Sequence, residues 1–371
     1  MKISCKKLDL MQGVNIVMKG VSGRTTISIL ECIIVSAQYN EIKLTSNNMQ
    51  MAVETIIPGT VEEDGSIALD AKMLSEIVRK LPDESVRLET ESNYNTNIIS
   101  GSFKGDMVGR SAEEFPAIPK IEKNDYMEIS RFVLRDLIHQ TIFSVGDNEN
   151  NIIMTGEKFE LKDNILTVVS LDGHRISIRK EALKNQYKDQ KVVIPAKTLG
   201  EIAKIIGGDE ENSDIKIYFS DKQIMFIMDQ TTIVSRLIEG EYLDTDRMIS
   251  KDYETKVKIN KKNLLDCIDR ASIYSKEGDK KPLVMNIFDG KVVITTTSQY
   301  GKMEEDLQIE KEGKDLLIGF NPKFLSDALK VIEEEEVTLY MTNQKSPCLI
   351  KDDQGKYIYL ILPINFSNIA R

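Results

Sequence analysis

Asp172, His174 and Arg175 form a local group of side chains with the residue types of acid–base chemistry. They stand directly after the strand-like run Ile165–Val169, at an Asp-Gly turn signal. A carboxylate beside a histidine is the arrangement of a general base with its orienting partner. No nucleophile motif such as GxSxG accompanies the group, and the sequence contains no GxxxxGK[ST], GxGxxG or HExxH. An enzyme that uses these three residues is therefore one hypothesis, without positive support.

The other reactive side chains are scattered along the chain. The sequence has four widely separated cysteines and no CxxC pair; they are Cys5, Cys32, Cys267 and Cys348. This spacing disfavours a zinc site or a disulfide framework and fits a reducing cytoplasm. His139 lies in a helix-like stretch, and the acidic run Glu333–Glu336 has the polar surroundings of a solvated segment. We predict no metal, no cofactor and no enzymatic activity.

Composition bounds the remaining choices. The chain has 371 residues, with 49 Lys and Arg against 59 Asp and Glu, which gives a formal net charge of -10. No apolar run reaches the roughly 18–20 residues that span a bilayer, and the first residues lack the apolar region of a signal peptide, so we expect a cytoplasmic protein without a membrane partner. Taken alone, the acidic balance argues against nucleic acid, because phosphate binding needs Lys and Arg.

The elements that position these side chains repeat. A helix-like segment with a lysine near its start recurs about every 125 residues, which is the signature of internal repetition. Its three copies are Leu69–Leu81, Ile194–Ile206 and Phe320–Ile332. A second helix-like segment opens each unit, at Lys7–Val17, Phe132–Ile142 and Lys262–Ala271. Three repeats account for the whole chain, and we place the domains at 1–124, 125–250 and 251–371.

Between the helices the pattern favours strands. Alternating, β-branched or aromatic runs occur at Leu44–Val53, Ile215–Phe219, Ile224–Met228, Val292–Thr297 and Tyr357–Leu362. Each repeat is predicted to contain two helices and about eight short strands, with the helices packed on the sheet as in an α+β layer. The charged stretches near 119–125 and 249–256 are predicted linkers.

The helices carry a charge bias opposite to that of the whole chain. Each repeat contributes cations from its helices; they include Lys72, Arg79, Lys80, Arg135, Lys197, Lys204, Lys323 and Lys330. If symmetry brings these helices to one surface, the result is a basic stripe that attracts phosphates without reading sequence. No aromatic pattern among the cations suggests base stacking, which points away from single-strand binding. A repeat scaffold that binds proteins but not DNA remains the alternative.

The chain resembles the bacterial DNA polymerase III β subunit, the replicative sliding clamp. The motifs that carry the resemblance are Arg24–Leu30, Asp172–Arg175, Ile318–Asn321 and Tyr359–Pro363, and the likeness covers essentially the full length. It implies three tandem domains that close as a head-to-tail homodimer into a six-domain ring. Helices would line the hole around double-stranded DNA, with Arg24 among the DNA contacts, and strands would form the outer wall.

The resemblance also implies a pocket between domains 2 and 3 that takes short linear motifs from the replicative polymerase, the clamp loader and repair proteins. On this sequence its residues would be Met154, Leu171, Gly173, His174, Arg175, Ile176, Leu243, Met248, Asn321, Phe324, Leu360, Leu362, Pro363 and Ile364. Without the resemblance, apolar residues such as Leu360 would be interpreted simply as core. Leu243, Asn365 and the tail 367–371 depart from the usual pattern of the family.

The implied dimer contacts fall on one segment of domain 1 and one of domain 3. They are Phe103, Asp106, Met107 and Val108, which would meet Ile273 and Tyr274 of the other copy. An edge strand on each side would pair across the interface and satisfy its free backbone groups.

Overall fold

The computed structural model describes residues 1–23, 25–119, 121–147, 151–207, 213–250, 252–274 and 281–366. Their contacts divide the chain into two compact units. The first unit comprises Met1–Leu134 together with Lys197–Leu237, and the second comprises Arg135–Ala196 together with Ile238–Arg371.

The α-helices occur in pairs, two in each predicted repeat within the described ranges. Their bounds are α1 (Lys7–Val17), α2 (Ala71–Lys80), α3 (Arg131–His139), α4 (Ala196–Ile206), α5 (Lys261–Ser272) and α6 (Pro322–Lys330). Side chains of the preceding residue begin three of them: Asp70 accepts from the Met73 amide, and asparagines do the same for α5 and α6. Such N-caps satisfy amides that have no partner inside a helix.

The first unit contains a five-stranded and an eight-stranded sheet. The five-stranded sheet has the order β5-β1-β7-β8-β9, and the eight-stranded sheet has the order β10-β15-β16-β17-β4-β3-β2-β6. The bounds are β1 (Lys2–Lys6), β2 (Cys32–Gln38), β3 (Glu41–Asn47), β4 (Met51–Ile57), β5 (Thr60–Glu63), β6 (Gly65–Asp70), β7 (Ser85–Thr90), β8 (Asn95–Ser100), β9 (Phe103–Val108), β10 (Tyr126–Ser130), β15 (Asp214–Phe219), β16 (Gln223–Met228) and β17 (Thr231–Arg236).

The second unit contains a nine-stranded and a four-stranded sheet. Their orders are β14-β11-β12-β13-β26-β25-β24-β18-β22 and β21-β20-β19-β23. The bounds are β11 (Gly156–Lys162), β12 (Ile165–Leu171), β13 (Arg175–Ala182), β14 (Gln190–Pro195), β18 (Thr255–Asn260), β19 (Leu283–Phe288), β20 (Lys291–Ser298), β21 (Gly301–Gln308), β22 (Glu310–Gly313), β23 (Leu316–Phe320), β24 (Glu336–Met341), β25 (Cys348–Lys351) and β26 (Tyr357–Ile361).

Each large sheet joins two predicted repeats through one antiparallel strand pair. In the first unit β17 pairs with β4, and the Thr55 and Thr231 hydroxyls form a buried hydrogen bond of 2.9 Å across this seam. In the second unit β13 pairs with β26, from Arg175 opposite Ile361 to Arg179 opposite Tyr357. Because a continuous sheet crosses each junction between repeats, contacts divide the chain through the middle repeat rather than at the repeat boundaries.

The predicted α+β fold with repeated pairs of helices is confirmed, and the strands number eight or nine in each predicted repeat within the described ranges. Internal bonds repeat as well. The Ser46 hydroxyl donates to the Val17 carbonyl, and the Ser170 hydroxyl donates to the Thr141 carbonyl, both at 2.5 Å. One local prediction was wrong. The run 44–53 is two strands, because Asn48 turns the chain by accepting from the Met51 amide through its side chain.

Candidate peptide-binding site

A cavity of about 330 Å³ opens in the second unit beside the seam between β13 and β26. Its lining is mostly apolar and comes from five separate segments of the chain. The lining residues are Met154, Leu171, Gly173, His174, Arg175, Ile176, Leu243, Met248, Pro347, Leu360 and Leu362. A concave, largely apolar surface with a few polar groups is the usual form of a ligand site.

Strand register builds the floor of this cavity. Leu171 on β12 lies opposite Ile176 on β13, which in turn lies opposite Leu360 on β26. Leu360 lies opposite Leu349 on β25, so four aliphatic side chains form one row across four strands. Directly opposed residues in an antiparallel sheet present their side chains on the same face. The row is therefore a continuous apolar surface, and three of its members, Leu171, Ile176 and Leu360, line the cavity.

The walls come from the chain on either side of the sheet. Met154 belongs to a short helical turn whose carbonyl accepts from the Gly146 amide. Leu243 and Met248 lie on the segment after β17 and are each 44 % exposed. Tyr242 anchors that segment, because its hydroxyl donates toward the carbonyls of Gly156 and Val169 at 3.4 and 3.2 Å. Methionine is flexible and polarisable, so a wall with two methionines can adapt to different ligands.

The turn Asp172–Arg175 forms the polar rim. The Asp172 carboxylate accepts hydrogen bonds from the backbone amides of His174 and Arg175 at 2.9 and 3.1 Å and from the Arg175 Nε at 2.9 Å. Gly173 has φ of +87°, which favours glycine. The carboxylate is thus bound to backbone and guanidinium, and the exposed imidazole of His174 stacks on Phe324 instead, with ring centroids 6.2 Å apart. This geometry does not supply the general base that the sequence left open.

Four predicted pocket residues lie outside the lining. Asn321 caps α6, and Phe324 packs behind the rim, where the Arg175 guanidinium lies 4.5 Å from its ring centroid. Pro363 and Ile364 follow β26, and the Ile364 amide donates to the Gly319 carbonyl at 2.8 Å. Conversely, Pro347 lines the cavity and sequence reasoning missed it, because a single proline before a short strand carries no signal of a site.

The first unit contains the equivalent position in nearly closed form. There Asn47 lies opposite Ala52, and Ala52 lies opposite Val234, in the same register as the row in the second unit. The space left is about 50 Å³, and prolines of the segment after β9 border it. The Asn47 amide donates to the Pro116 carbonyl at 3.5 Å and ties that segment down. This covering segment narrows the position that is open beside Leu171 and Ile176 in the second unit.

The predicted DNA-contacting cations lie on the helices, except Arg24, which falls outside the described residues. Lys72, Arg79, Lys80, Lys197, Lys204, Lys323 and Lys330 are exposed, and Arg135 is half-buried. Several are paired with a carboxylate on their own helix. Arg79 and Lys80 lie 2.7 and 3.2 Å from Glu76 and hold the pKa of that carboxyl below its usual value, and Lys204 lies 2.7 Å from Glu201. Counting cations in the sequence missed these acidic partners.

One of the predicted dimer-contact residues, Met107, has a buried side chain in the structure. β9 is an edge strand of its sheet, and Val108 at its end is 80 % exposed. Met107 is only 2 % exposed, because side chains alternate along a strand and this one points into the core. Any contact of Met107 with a second copy would therefore involve its backbone on the edge strand rather than its side chain. Ile273, just after α5, is 79 % exposed, whereas Tyr274 packs partly against the core; Phe103 is half-buried and Asp106 is exposed on β9.

Other classes of site find little support in the described ranges. No three His, Cys, Asp or Glu side chains there are grouped as a metal site. The four cysteines are buried as free thiols, and burial raises the pKa of Cys5, Cys267 and Cys348 to about 12. None of the helices in the described ranges is long and apolar enough to cross a membrane.

Comparison with known proteins identifies the family to which this architecture is similar. The sequence matches the N-terminal, central and C-terminal domains of the DNA polymerase III beta subunit at residues 1–119, 128–244 and 246–365. The beta sliding clamp of Staphylococcus epidermidis is 32 % identical over 375 residues, which cover 98 % of this chain and 99 % of the relative.

Two solved structures are similar over almost the whole chain. A putative DNA polymerase III beta subunit from Eubacterium rectale is 56 % identical, with a TM-score of 0.96, and the match covers 99 % of this chain and 100 % of that one. The DNA polymerase sliding clamp from Bacillus subtilis is 34 % identical, with a TM-score of 0.95 and coverage of 99 % of both chains.

Proposed function

This chain belongs to the DNA polymerase III beta subunit family, the bacterial sliding clamps, and from that membership we propose that the cavity of the second unit receives the peptides through which partner proteins hold the clamp. A sliding clamp is a processivity factor and not an enzyme. Its three-domain chains assemble as a dimeric ring around duplex DNA and work with the replicative polymerase. The alternative of a scaffold that does not encircle DNA is not favoured.

The mechanism is a tether. A polymerase bound to a ring on DNA stays at high effective concentration near its template, so each rebinding is intramolecular. Such a ring must slide, and contacts to phosphates that are weak and independent of sequence permit sliding. We propose that the helix cations supply these contacts. The in-helix pairs of Glu76 and Glu201 support this role, because they reduce the local charge without removing it and keep each contact weak.

The apolar row Leu171–Ile176–Leu360 is the observation that carries the peptide proposal. It ends in a cavity of about 330 Å³ with half-exposed Leu243 and Met248 on the wall, which suits one or two large apolar side chains of a short segment. We propose that the replicative polymerase, the clamp loader and repair proteins share this cavity, and that the clamp works in the cytoplasm with the chromosome.

A pair of matched leucines tests the peptide site. Leu362→Asp places a carboxylate at the mouth of the cavity, and Leu317→Asp is the control, since Leu317 is 41 % exposed on β23 against 37 % for Leu362. A fluorescent hexapeptide with two leucines and a phenylalanine serves as the probe in an anisotropy titration. We expect a loss of at least tenfold with Leu362→Asp and none with the control. Equal affinity for both variants would refute the site.

The basic helices are tested by charge reversal. Lys197→Glu with Lys204→Glu should reduce retention on circular DNA after loading and flatten the dependence of binding on salt, because released counterions scale with the phosphates contacted. Lys345→Glu, on an exposed loop between β24 and β25, is the control. Unchanged retention of the double variant would contradict the assignment. Retention on linearised DNA should be lost for every variant, because a ring slides off an open end.

The dimer and domain assignments remain proposals. We propose that the free edge of β9, with Val108 at its end, meets the region of Ile273 in a second copy and adds its strand to the partner's sheet. Val108 and Ile273 support this contact, because both are apolar and about four-fifths exposed in the single chain, and the contact would remove them from water. We also propose domain boundaries at 1–124, 125–250 and 251–371, which the matched family segments support.

A further inference from the structure

Arg175 is a buried cation held by two carboxylates from distant parts of the chain. The residue is only 7 % exposed. Its Nε donates to Asp172 at 2.9 Å, its Nη1 donates to Asp327 on α6 at 2.7 Å, and its Nη2 donates to the Phe143 carbonyl. A buried charge is tolerated only when it is paired and its donors are satisfied, so each of these acceptors contributes to holding the side chain in place.

The helix α6 is shaped to supply one of those acceptors. Phe324 and Asp327 are three residues apart and therefore lie on one face of the helix, where one stacks on the guanidinium and the other binds it. The Asp327 side chain is 17 % exposed, and its Oδ2 also accepts from the Lys323 ammonium at 2.8 Å.

The repeats show that this use of the acidic position is specific to the open cavity. Glu76 on α2 and Glu201 on α4 occupy the position of Asp327 in the other repeats, and both are paired with cations on their own helices. The first unit has Met51, which is buried, at the position of Arg175. The ion pair between Arg175 and the helix carboxylate thus occurs beside the cavity of 330 Å³, and the nearly closed position in the first unit lacks it.

We propose that Asp327 is a positioning residue for the peptide site: with Asp172 it fixes Arg175, and through Arg175 it fixes the rim turn that presents Gly173 and His174 to the ligand. This inference rests on the proposed function of the cavity. Loss of one carboxylate leaves the guanidinium with a single ionic partner in a buried site, which frees the rim to move. A ligand must then order the rim at the moment of binding, and its affinity falls.

The test uses the full-length chain and the leucine–phenylalanine hexapeptide. Asp327→Asn keeps the shape of the side chain and removes its charge, and we expect a loss of affinity of about tenfold. Glu201→Gln, the same chemical change at the equivalent position of another repeat, should leave affinity unchanged. Asp327→Glu restores the charge and should return affinity to within about threefold of the original. Equal affinity for Asp327→Asn and the unsubstituted protein would overturn the proposal.

A double-mutant cycle separates positioning from a general structural role. In an Arg175→Met background, Asp327→Asn should change affinity less than about twofold, because the residue it acts through is gone. A further loss of fivefold or more in that background would show that Asp327 acts elsewhere and would overturn the proposal.

The histidine spectrum gives a readout without any peptide. The chain has two histidines, so the imidazole resonances of His174 and His139 can be assigned by substitution. Asp327→Asn should shift the His174 signal, whose ring stacks on Phe324, and leave His139 unchanged. An unmoved His174 signal would refute the link from Asp327 to the rim. If the unsubstituted protein fails to bind the hexapeptide, the peptide site is refuted. The spectrum still tests whether Asp327 positions Arg175 and the rim turn.

Discussion

Glu157 should make the stability of the second unit depend on pH in a way that one substitution abolishes. The residue is on β11 and is fully buried, and neither carboxylate oxygen has a hydrogen-bond partner among the described residues. Thr141 lies beside it, but the hydroxyl of Thr141 donates to the Leu137 carbonyl at 2.7 Å. Burial raises the pKa of Glu157 from 4.5 to about 8, with Thr141 acting against the shift. The carboxyl is therefore mostly neutral at pH 7.

The other two repeats show what the position normally holds. Hairpin register aligns Glu157 with Ile33 on β2 and with Leu283 on β19, which are 0 % and 1 % exposed. Glu157→Leu therefore restores the residue type that the fold uses elsewhere, and Glu157→Gln keeps the shape without a titratable proton. Glu113→Gln, on the surface after β9, is the matched control.

The sign of the effect follows from the raised pKa. Below pH 4.5 the folded and the unfolded chain both hold the proton, so the contribution to stability is fully present. As the pH rises toward 8 the unfolded chain releases the proton first, and the free energy of unfolding falls. Between pH 6 and pH 8 the loss is about 2 kcal/mol, from integrating the two titrations at about 1.4 kcal/mol per unit.

Thermal unfolding at pH 6, 7 and 8 measures this loss as a difference. The gap in midpoint between Glu157→Gln and the unsubstituted protein should widen by roughly 4–8 °C from pH 6 to pH 8 for a cooperative unit of about 200 residues. Titratable groups common to both proteins shift both midpoints equally and cancel in this gap. For Glu113→Gln, the gap to the unsubstituted protein should not change between pH 6 and pH 8. A gap that stays constant across this range would refute the neutral buried carboxyl.

Three further outcomes are expected. Gly313→Ala should lower the free energy of unfolding by about 2 kcal/mol or more, because φ is +92° and the new Cβ would lie 2.0 Å from a backbone carbonyl oxygen; Gly355→Ala, at φ of +69° with nothing within 4 Å, should cost less in the same denaturant titration. Cys348, whose pKa burial raises to about 12, should resist iodoacetamide at pH 8 until the protein unfolds, as peptide mass spectrometry would show; labelling of the folded protein would contradict its burial. Val108→Asp should halve the mass measured by light scattering and Tyr39→Asp, at a site 92 % exposed, should not; a dimer that survives Val108→Asp would argue against the β9 interface.

The fold was predictable where the signal is periodic and repeated. The helices at Lys7–Val17 and Ala196–Ile206 end at the predicted residue, since apolar spacing and the internal repeat both mark their ends. The turn at Asn48 was missed, because a short hairpin loop between two apolar runs resembles a single alternating strand. Glu157 was also missed: beside Lys158 and Glu160 it has the pattern of a solvated strand face, and only the packed sheet shows that it is enclosed.

The site was predictable only in part, and for a different reason. Apolar residues on strands are core in most proteins, so the residues alone did not distinguish Leu360 in a cavity from Leu360 in a core; the family resemblance did. Contacts across long stretches of sequence carried no signal at all. Arg175 and Asp327 are 152 residues apart, and neither spacing nor composition indicates that they meet.

If the cavity of the second unit is the peptide site, the nearly closed equivalent position in the first unit limits how many partners one dimeric ring can bind. Two equivalent strand seams in each chain would give four such sites in a dimer, but the equivalent position in the first unit has a volume of only about 50 Å³, so the proposed site would occur once per chain. Two partners could then bind one ring at the same time, and a third would have to displace one of them. A repair protein could then replace a polymerase only by competing for an occupied peptide site. Dissociation rates and local concentrations would decide that competition, because no unoccupied site would be available.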